Sequence, residues 1–355
     1  MIRALSLLLL LLAWPPAGDD IISGVDRVVA VGDVHGDYDQ LVAVLRSAEL
    51  IDAQLKWAGG KAHLVQTGDV LDRGPDSRKA MDLLMRLEEE ARQAGGAVHC
   101  LIGNHEAMNL YGDLRYLSPG EVDAFRDENS EKARDEFFQE HRKELERGLP
   151  PGKVPKFDEA YRKRWEAEVP LGFAEHRRAF SPQGKYGKWI RTHHAVMQID
   201  GTLFLHGGIS PKYADTGVRA INERVRAELQ DFSKLEGGIV QDSNGPLWYR
   251  GLAQGEEPLL EPHLRKVLAA YKVERIAVGH TYTDGALASR FGGRVLVIDV
   301  GLSRVYDPKG RMACLVLEKG RPLALHRGKR VELPADADRD LQRYRDETGA
   351  LDRSR

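Results

Sequence analysis

Five short apolar runs punctuate the chain, and each gives way to a polar block rich in glycine. The runs are Val28-Val29-Ala30-Val31, His63-Leu64-Val65-Gln66-Thr67, Val98-His99-Cys100-Leu101-Ile102, Leu203-Phe204-Leu205 and Arg275-Ile276-Ala277-Val278. Their length and their content of branched residues read as buried strands. Between the first three runs the apolar spacing becomes helical: Leu41, Val42, Val44, Leu45 and Ala48 lie within Tyr38 to Leu50, and Ala80, Met81, Leu83, Leu84 and Leu87 within Ser77 to Ala94. Strand, loop, helix, strand is an α/β alternation. Lys188 to Gln198 and Thr202 to Leu205, joined across Asp200-Gly201, predict a hairpin that delivers His206. Further helices are expected over Thr216 to Phe232 and Glu261 to Tyr271. Strands around Val295 to Ile298, Ala313 to Leu317 and Pro322 to His326 suit a second sheet. The expected fold is α/β, a two-sheet β-sandwich flanked by helices. It carries a charged helical insertion from Leu114 to Lys188, which opens on Ser118-Pro119-Gly120-Glu121, a capping-box spacing with proline at the first helical position.

Composition narrows this picture only at the ends. The chain has 355 residues, and 52 basic against 54 acidic side chains give no basic surface of the kind that binds nucleic acid. Arg3, the leucine-rich run Ala4 to Ala13, and Pro15-Pro16-Ala17 before Asp19-Asp20 have the outline of a secretory signal peptide over residues 1–17. A periplasmic or secreted protein is therefore expected, with an uncleaved N-terminal anchor as the alternative. No stretch reaches the ~20 apolar residues of a spanning helix, so no stable membrane span is expected. The main domain is expected over residues 27–334. The polar tail from Ala335 to Arg355 is expected to fray. Cys100 and Cys314 lie in apolar runs and read as small buried hydrophobes, with pairing left open.

The polar blocks carry the chemistry. In order they are Gly32-Asp33-Val34-His35-Gly36, Gly68-Asp69-Val70-Leu71-Asp72-Arg73-Gly74, Gly103-Asn104-His105-Glu106, His206-Gly207-Gly208 and Gly279-His280-Thr281. Ligand residue types at the ends of strands of one sheet can converge on a rigid rim, with glycines letting backbone approach the ions. This ordered set resembles the phosphoprotein phosphatase branch of the calcineurin-like metallophosphoesterases, over about Arg27 to Leu317. The stretches Gly68 to Gly74, His206-Gly207-Gly208-Ile209-Ser210-Pro211 and Pro246-Leu247-Trp248-Tyr249-Arg250 are most similar to its Shewanella-like bacterial subgroup.

The resemblance implies a two-metal phosphoesterase. Asp33 and His35 would serve the first ion, Asp69 would bridge, and Asn104, His206 and His280 would complete the second site. Mixed oxygen and imidazole ligation suits manganese, iron or zinc better than calcium. Two ions ~4 Å apart can hold a bridging hydroxide as nucleophile. His105 would protonate the leaving oxygen with Asp72 orienting it, and Arg73 and Arg250 would fork onto phosphate oxygens. The expected activity is phosphomonoester hydrolysis on phosphoproteins or phosphopeptides, phosphotyrosine as well as phosphoserine or phosphothreonine, by a monomer. The alternatives are a symmetrical dinucleoside tetraphosphate pyrophosphatase and a silent metal-stabilised binding module. Among the other histidines, His63 and His99 read as core or edge residues, His193-His194 as ordinary strand residues, and His176 with Arg177-Arg178 as a solvated helix face. Trp248-Tyr249 could wall the pocket or pack the core.

Overall fold

The computed structural model of the chain describes residues 19–150, 152–334 and 339–353. The expected signal peptide lies outside the described residues. The chain begins with β1 (Ile21–Ile22) and β2 (Arg27–Val31), then runs through α1 (Tyr38–Ser47), β3 (His63–Gln66), α2 (Ser77–Gln93), β4 (Ala97–Cys100) and α3 (Asn104–Tyr111). The insertion contributes α4 (Pro119–Asp123), α5 (Ser130–Gly148), α6 (Glu159–Glu168), α7 (Phe173–Phe180) and α8 (Lys185–Arg191). There follow β5 (Val196–Ile199), β6 (Thr202–Leu205), α9 (Val218–Gln230), α10 (Gly251–Gln254), α11 (Glu257–Tyr271), β7 (Arg275–Val278), β8 (Ala288–Arg290) and β9 (Val295–Val297). The chain closes with β10 (Ala313–Glu318), β11 (Arg321–His326), β12 (Lys329–Glu332) and α12 (Arg339–Arg353).

The strands form two six-stranded sheets, in the orders β12-β11-β10-β2-β3-β4 and β1-β5-β6-β7-β9-β8. Each contains a parallel trio. In one, Ala30 pairs with Val65 and Val65 with His99; in the other, Leu203 pairs with Ile276 and Ile276 with Val295. Parallel strands are buried on both faces, which is why these runs are almost continuously apolar. Their carboxyl ends carry the five polar blocks, the place where open α/β sheets bind ligands.

The sandwich is thus as expected, but its assembly is not. The five blocks come from two sheets, three following β2, β3 and β4 and two following β6 and β7. The late strands do not form a sheet of their own: β9 joins β7, whereas β10 pairs antiparallel with β2 through Leu315 and Ala30. Apolar periodicity marks which face of a strand is buried; it carries no information about which distant strand lies beside it.

Helix α1 shows how local sequence fixes an element. Asp37 precedes it and accepts a hydrogen bond from the Gln40 N–H at 3.2 Å, capping its free amino end, while Leu41, Val44 and Leu45 are fully buried on one face. Burying each of those side chains contributes roughly 1.5–3 kcal/mol.

The hairpin expected across Asp200-Gly201 is present: β5 runs antiparallel to β6, with Gln198 paired to Leu203 and Ile199 to Thr202. Two expectations fail. The hairpin's first arm starts at Val196 and not at Lys188: Tyr186 and Ile190, four residues apart, are both buried, and helical α8 ends at Arg191 before β5 begins. The expected frayed tail contains α12, whose Tyr344 is buried in the main core and whose Asp352 accepts from Arg311 and His326, each at 3.2 Å, and from Arg327. Its single buried tyrosine and half-buried ion cluster gave too weak a periodic signal among the charges. Cys100 on β4 and Cys314 on β10 stand three strand spacings apart in one sheet, ~14 Å. They remain free thiols.

Candidate active site

The turns after the strands bend so that their side chains meet. His35, Asp69, Asp72, Arg73 and His280 all have φ between 44° and 67°, the left-handed region that side chains with a Cβ rarely occupy. Such kinks reverse the chain within one residue and swing the side chain off the strand axis into the cleft. The flanking glycines serve the same crowding. A Cβ on Gly103 would stand 2.2 Å from Asp69 Oδ1, and one on Gly279 would stand 2.5 Å from Asp33 Oδ1. These glycines let backbone press against the carboxylates rather than against the ions, as the sequence had suggested.

Four of the ligand candidates, Asp33, His35, Asp69 and His206, have one atom tied down and another left facing the cleft. Asp33 Oδ1 accepts from the His280 N–H and Asp69 Oδ1 from the His105 N–H, both at 3.0 Å. His35 Nδ1 lies 3.0 Å from Leu71 O and His206 Nδ1 3.0 Å from Thr67 O, so each ring carries its proton there and turns Nε2 inward. Asp69 Oδ2 sits at the centre, 3.2 Å from His206 Nε2, 3.7 Å from His105 Nε2 and 3.8 Å from His35 Nε2. His206 Nε2 also faces Asn104 Oδ1 at 2.9 Å and His280 Nδ1 at 3.0 Å.

Four electron-pair donors therefore converge on one point with no proton assigned between them. That donor set fits a cation, and the groups His35/Asp69/His105 and Asp69/His206/His280 are each close enough to surround one. All six residues expected as ligands, Asp33, His35, Asp69, Asn104, His206 and His280, are brought together and buried.

The charges agree with this reading at Asp33, His35 and His280, whereas at His206 burial is outweighed by Asp69, which raises its pKa and favours a second proton where a cation would sit. Burial, then Asp299 and Asp69, hold the Asp33 carboxyl well above its ordinary value, the mark of acids crowded without enough positive charge. Burial lowers His35 to about 3, and burial with neighbouring His206 lowers His280 to about 2, so both rings are neutral, the form that binds metal.

Asp299, just past β9, is buried in the same cleft, and burial raises it to about 6. It was missed in the sequence, although Val295 to Ile298 followed by Asp299-Val300-Gly301 repeats the pattern of apolar run, acid and glycine. Glu106 was quoted but given no role. Its carboxylate accepts from the N–H groups of Asp69 at 2.7 Å, Val70 at 2.8 Å and Gly103 at 2.8 Å, and so locks two ligand loops together.

Beside the donors stands the expected acid pair. His105 Nδ1 is 2.6 Å from Asp72 Oδ2, and Asn109 Nδ2 donates to Asp72 Oδ1 at 3.0 Å. Burial opposes the charged form of His105, but Asp69 and Asp72 outweigh it and raise its pKa.

A cavity of about 240 Å³ opens over these groups, with Arg73, Arg250, Tyr116, Trp248, Tyr282 and Tyr306 on its walls. The Arg73 guanidinium lies 4.8 Å from the Tyr116 ring and 5.7 Å from that of Tyr306, held flat by cation–π contact with its Nε unpartnered. Arg250 donates to His280 O at 2.6 Å. Trp248 walls the cavity, whereas Tyr249 packs towards His263. His63 and His99 contact each other at 3.1 Å across adjacent strands, away from the cleft. His193 packs edge-on against Trp189. His176, expected on a solvated face, is fully buried against Phe125 and Phe180; Arg177 beside it is half-buried and donates to Asn109 O at 2.7 Å, and only Arg178 faces outward.

The fold and this cleft define a metal-dependent phosphoesterase, and the chain belongs to the calcineurin-like phosphoesterase family, which it matches over residues 26–284. Within that family it is similar to Shewanella-like protein phosphatase 2 of Arabidopsis thaliana, with 30% identity over 294 residues that cover 79% of this chain and 72% of that protein. It is also 32% identical to an uncharacterised protein of Schizosaccharomyces pombe, over 86% of this chain and 82% of the other. Among solved structures it resembles the cold-active protein-tyrosine phosphatase of a psychrophilic Shewanella species, with a TM-score of 0.69 and 27% identity over 90% of this chain and 83% of that one. The protein is a hydrolase of the phosphatase kind, as its motifs had implied.

Proposed function

We propose that this chain dephosphorylates phosphoproteins by a two-metal mechanism, with phosphotyrosine as the better substrate and phosphoserine or phosphothreonine also accepted. Asp33, His35, Asp69, Asn104, His206 and His280 hold the two ions, for which manganese, iron and zinc suit the mixed oxygen and nitrogen donors. Bound there, the ions supply Lewis acidity to the phosphoryl oxygens and lower the pKa of water. Arg73 and Arg250 orient the phosphate from the cavity wall. Asp72 fixes the His105 ring, and His105 Nε2 gives its proton to the leaving oxygen.

The observation that carries the reading is the 2.6 Å pair of His105 and Asp72, aimed at the centre of the donor cluster. The preference for an aryl ester is supported by the ring-lined wall, where Tyr282 and Tyr306 stack at 5.6 Å. An aromatic pair is worth ~0.5–1.5 kcal/mol beyond its buried area. Purified protein loaded with manganese, iron or zinc is to be compared on phosphotyrosyl peptide, phosphoseryl peptide and diadenosine tetraphosphate. Faster turnover of the dinucleotide than of either peptide would overturn the proposal.

His105→Asn should slow alkyl phosphates by ~10²–10⁴-fold, the range of general acid catalysis, and nitrophenyl phosphate much less, because nitrophenolate leaves without a proton. Equal losses on both would make His105 positional only. We also propose export, on the outline of residues 1–17. N-terminal sequencing of protein from native cells should start near Gly18, and an intact Met1 in a cytoplasmic fraction would refute it.

A further inference from the structure

The loop after β3 is held in a form that its own sequence does not favour. Asp72 and Arg73 stand in succession at φ of 67° and 66°. Each such residue costs on the order of 1 kcal/mol or more, and persists only where its surroundings over-determine it.

Much of that hold comes from the first turn of the insertion. The Arg73 N–H donates to Tyr116 O at 3.0 Å, and Ser118 Oγ donates to Gly74 O at 2.9 Å. Ser118 also accepts from the Glu121 N–H at 3.2 Å, so the cap that starts α4 sets the position of Glu121. A Cβ on Gly120 would lie 2.6 Å from Pro75 Cβ, so α4 is seated directly on the loop.

Glu121 is fully buried, with Oε1 3.5 Å from the Asp72 nitrogen and Oε2 without a hydrogen-bond partner. An acid in such a place needs a reason. Burial, then Asp72, raise it to about 8, so at neutral pH it is a neutral carboxyl.

We propose that Glu121 is a positioning residue: with the Ser118 hydroxyl and the Tyr116 carbonyl it splints the Asp72-Arg73 turn, and through Asp72 it sets the direction of His105. The inference rests on the reading of His105 as proton donor. It makes the start of the insertion part of the reaction's framework, while the later helices stand apart from it.

The test uses the full chain with manganese, carrying Glu121→Leu, Glu121→Gln, Ser118→Ala or His105→Asn, on nitrophenyl phosphate and an alkyl phosphate. A second readout is the downfield proton resonance of His105 Nδ1–H in the metal-free protein. Glu121→Leu should lower kcat on the alkyl ester about tenfold more than on the nitrophenyl ester, part of the ~10²–10⁴-fold that a positioned acid supplies. It should also lose the resonance. Glu121→Gln, isosteric and neutral, should keep the substrate ratio within about twofold and retain the resonance.

A folded Glu121→Leu with both readouts unchanged, or a Gln variant as impaired as Leu, overturns the inference. If His105→Asn discriminates between the esters and Glu121→Leu does not, the splint alone is wrong. If His105→Asn does not discriminate, the proton-donor reading has failed. Should Glu121→Leu not fold, Ser118→Ala decides: loss of the hydroxyl's two hydrogen bonds should raise KM for nitrophenyl phosphate about threefold by loosening Arg73, and an unchanged KM rejects the splint.

Discussion

The rim of the cavity and the lobe built from α5 and α6 treat charge in opposite ways. At the rim Asp33, Asp69, Asp299 and Glu106 are all buried, and backbone N–H groups bond to each: His280 to Asp33, His105 to Asp69, Gly301 to Asp299, and three to Glu106. In the lobe the charges stay near water. Arg162 pairs with Glu166 at 2.6 Å and lies over the Phe138 ring at 4.4 Å, above a small separate core of Phe138, Trp165 and Val169. Removing one partner of a buried pair costs ~3–5 kcal/mol, whereas an exposed pair is worth under ~1 kcal/mol. The rim therefore tolerates almost no change of residue type. The lobe needs only its few rings, and its surface charges can change at little cost.

The sharpest way to break this contrast is at its centre. Asp69→Asn should weaken both metal sites by more than ~100-fold, beyond the ~10–100-fold that even supporting groups give, and Asn104→Ala should weaken chiefly one. Elemental analysis reads the result; two metals retained in Asp69→Asn would remove its bridging role.

Next comes the lobe. Trp165→Ala should destabilise the small core by ~3–5 kcal/mol, exposing α5 and α6 to protease. Nitrophenyl phosphate turnover should stay within about tenfold while the ranking among phosphopeptides changes, because lost wall contacts affect substrates unequally. Specificity that survives unchanged would place it on the ring-lined wall of the cavity. Val122 and Phe125 are buried, and Phe125 belongs to the main core, so a deletion within the insertion should do least damage between Ser130 and Glu168.

A third region tests whether buried charge far from the cleft behaves like the rim. Burial opposes ionisation of Asp352, but the Arg327 hydrogen bond and His326 lower its pKa, so its stabilisation is present above the ordinary carboxyl value and lost as pH falls through the lowered one. His326 is lowered by burial, so the folded state resists its protonation and stability declines once pH drops below the usual ~6.5. Hydrogen exchange in Arg339–Arg353 should accelerate, after correction for intrinsic rate, between pH 7 and pH 4. Constant protection would mean that Tyr344 alone docks the helix. The smallest effect is expected at the exposed Arg142–Glu146 pair, where Arg142→Ala should change the unfolding free energy by under ~1 kcal/mol.

The convergence of Asp33, His35, Asp69, Asn104, His206 and His280 was legible because their blocks directly follow apolar runs, and nothing but adjacency along the chain is needed to see it. His105 and Asp72 were legible for the same reason. What could not be read were relations between distant segments: that His206 and His280 arrive from a different sheet than Asp33, or that Glu106 grips two loops. Asp299 had the right local pattern, yet no block of known type marked it. The insertion was seen as helical from its charge pattern and cap, but His176 was placed outside because flanking arginines mask a single buried ring. Helix α12 was lost for the same reason, since one tyrosine in a polar stretch is a weak signal.

The run of left-handed residues around the cleft sets a direction for anyone who selects variants of this protein. His35, Asp69, Asp72, Arg73 and His280 each occupy backbone that glycine would adopt without penalty. A library screened only for heat resistance should thus drift towards glycine at Arg73, where the side chain lost makes cation–π contacts with Tyr116 and Tyr306, and not at Asp72, where losing the buried pair with His105 outweighs the strain relieved; its winners should be sturdier and inert. Durability and turnover draw on the same few torsion angles, so screening has to alternate between the two or it will erase the enzyme.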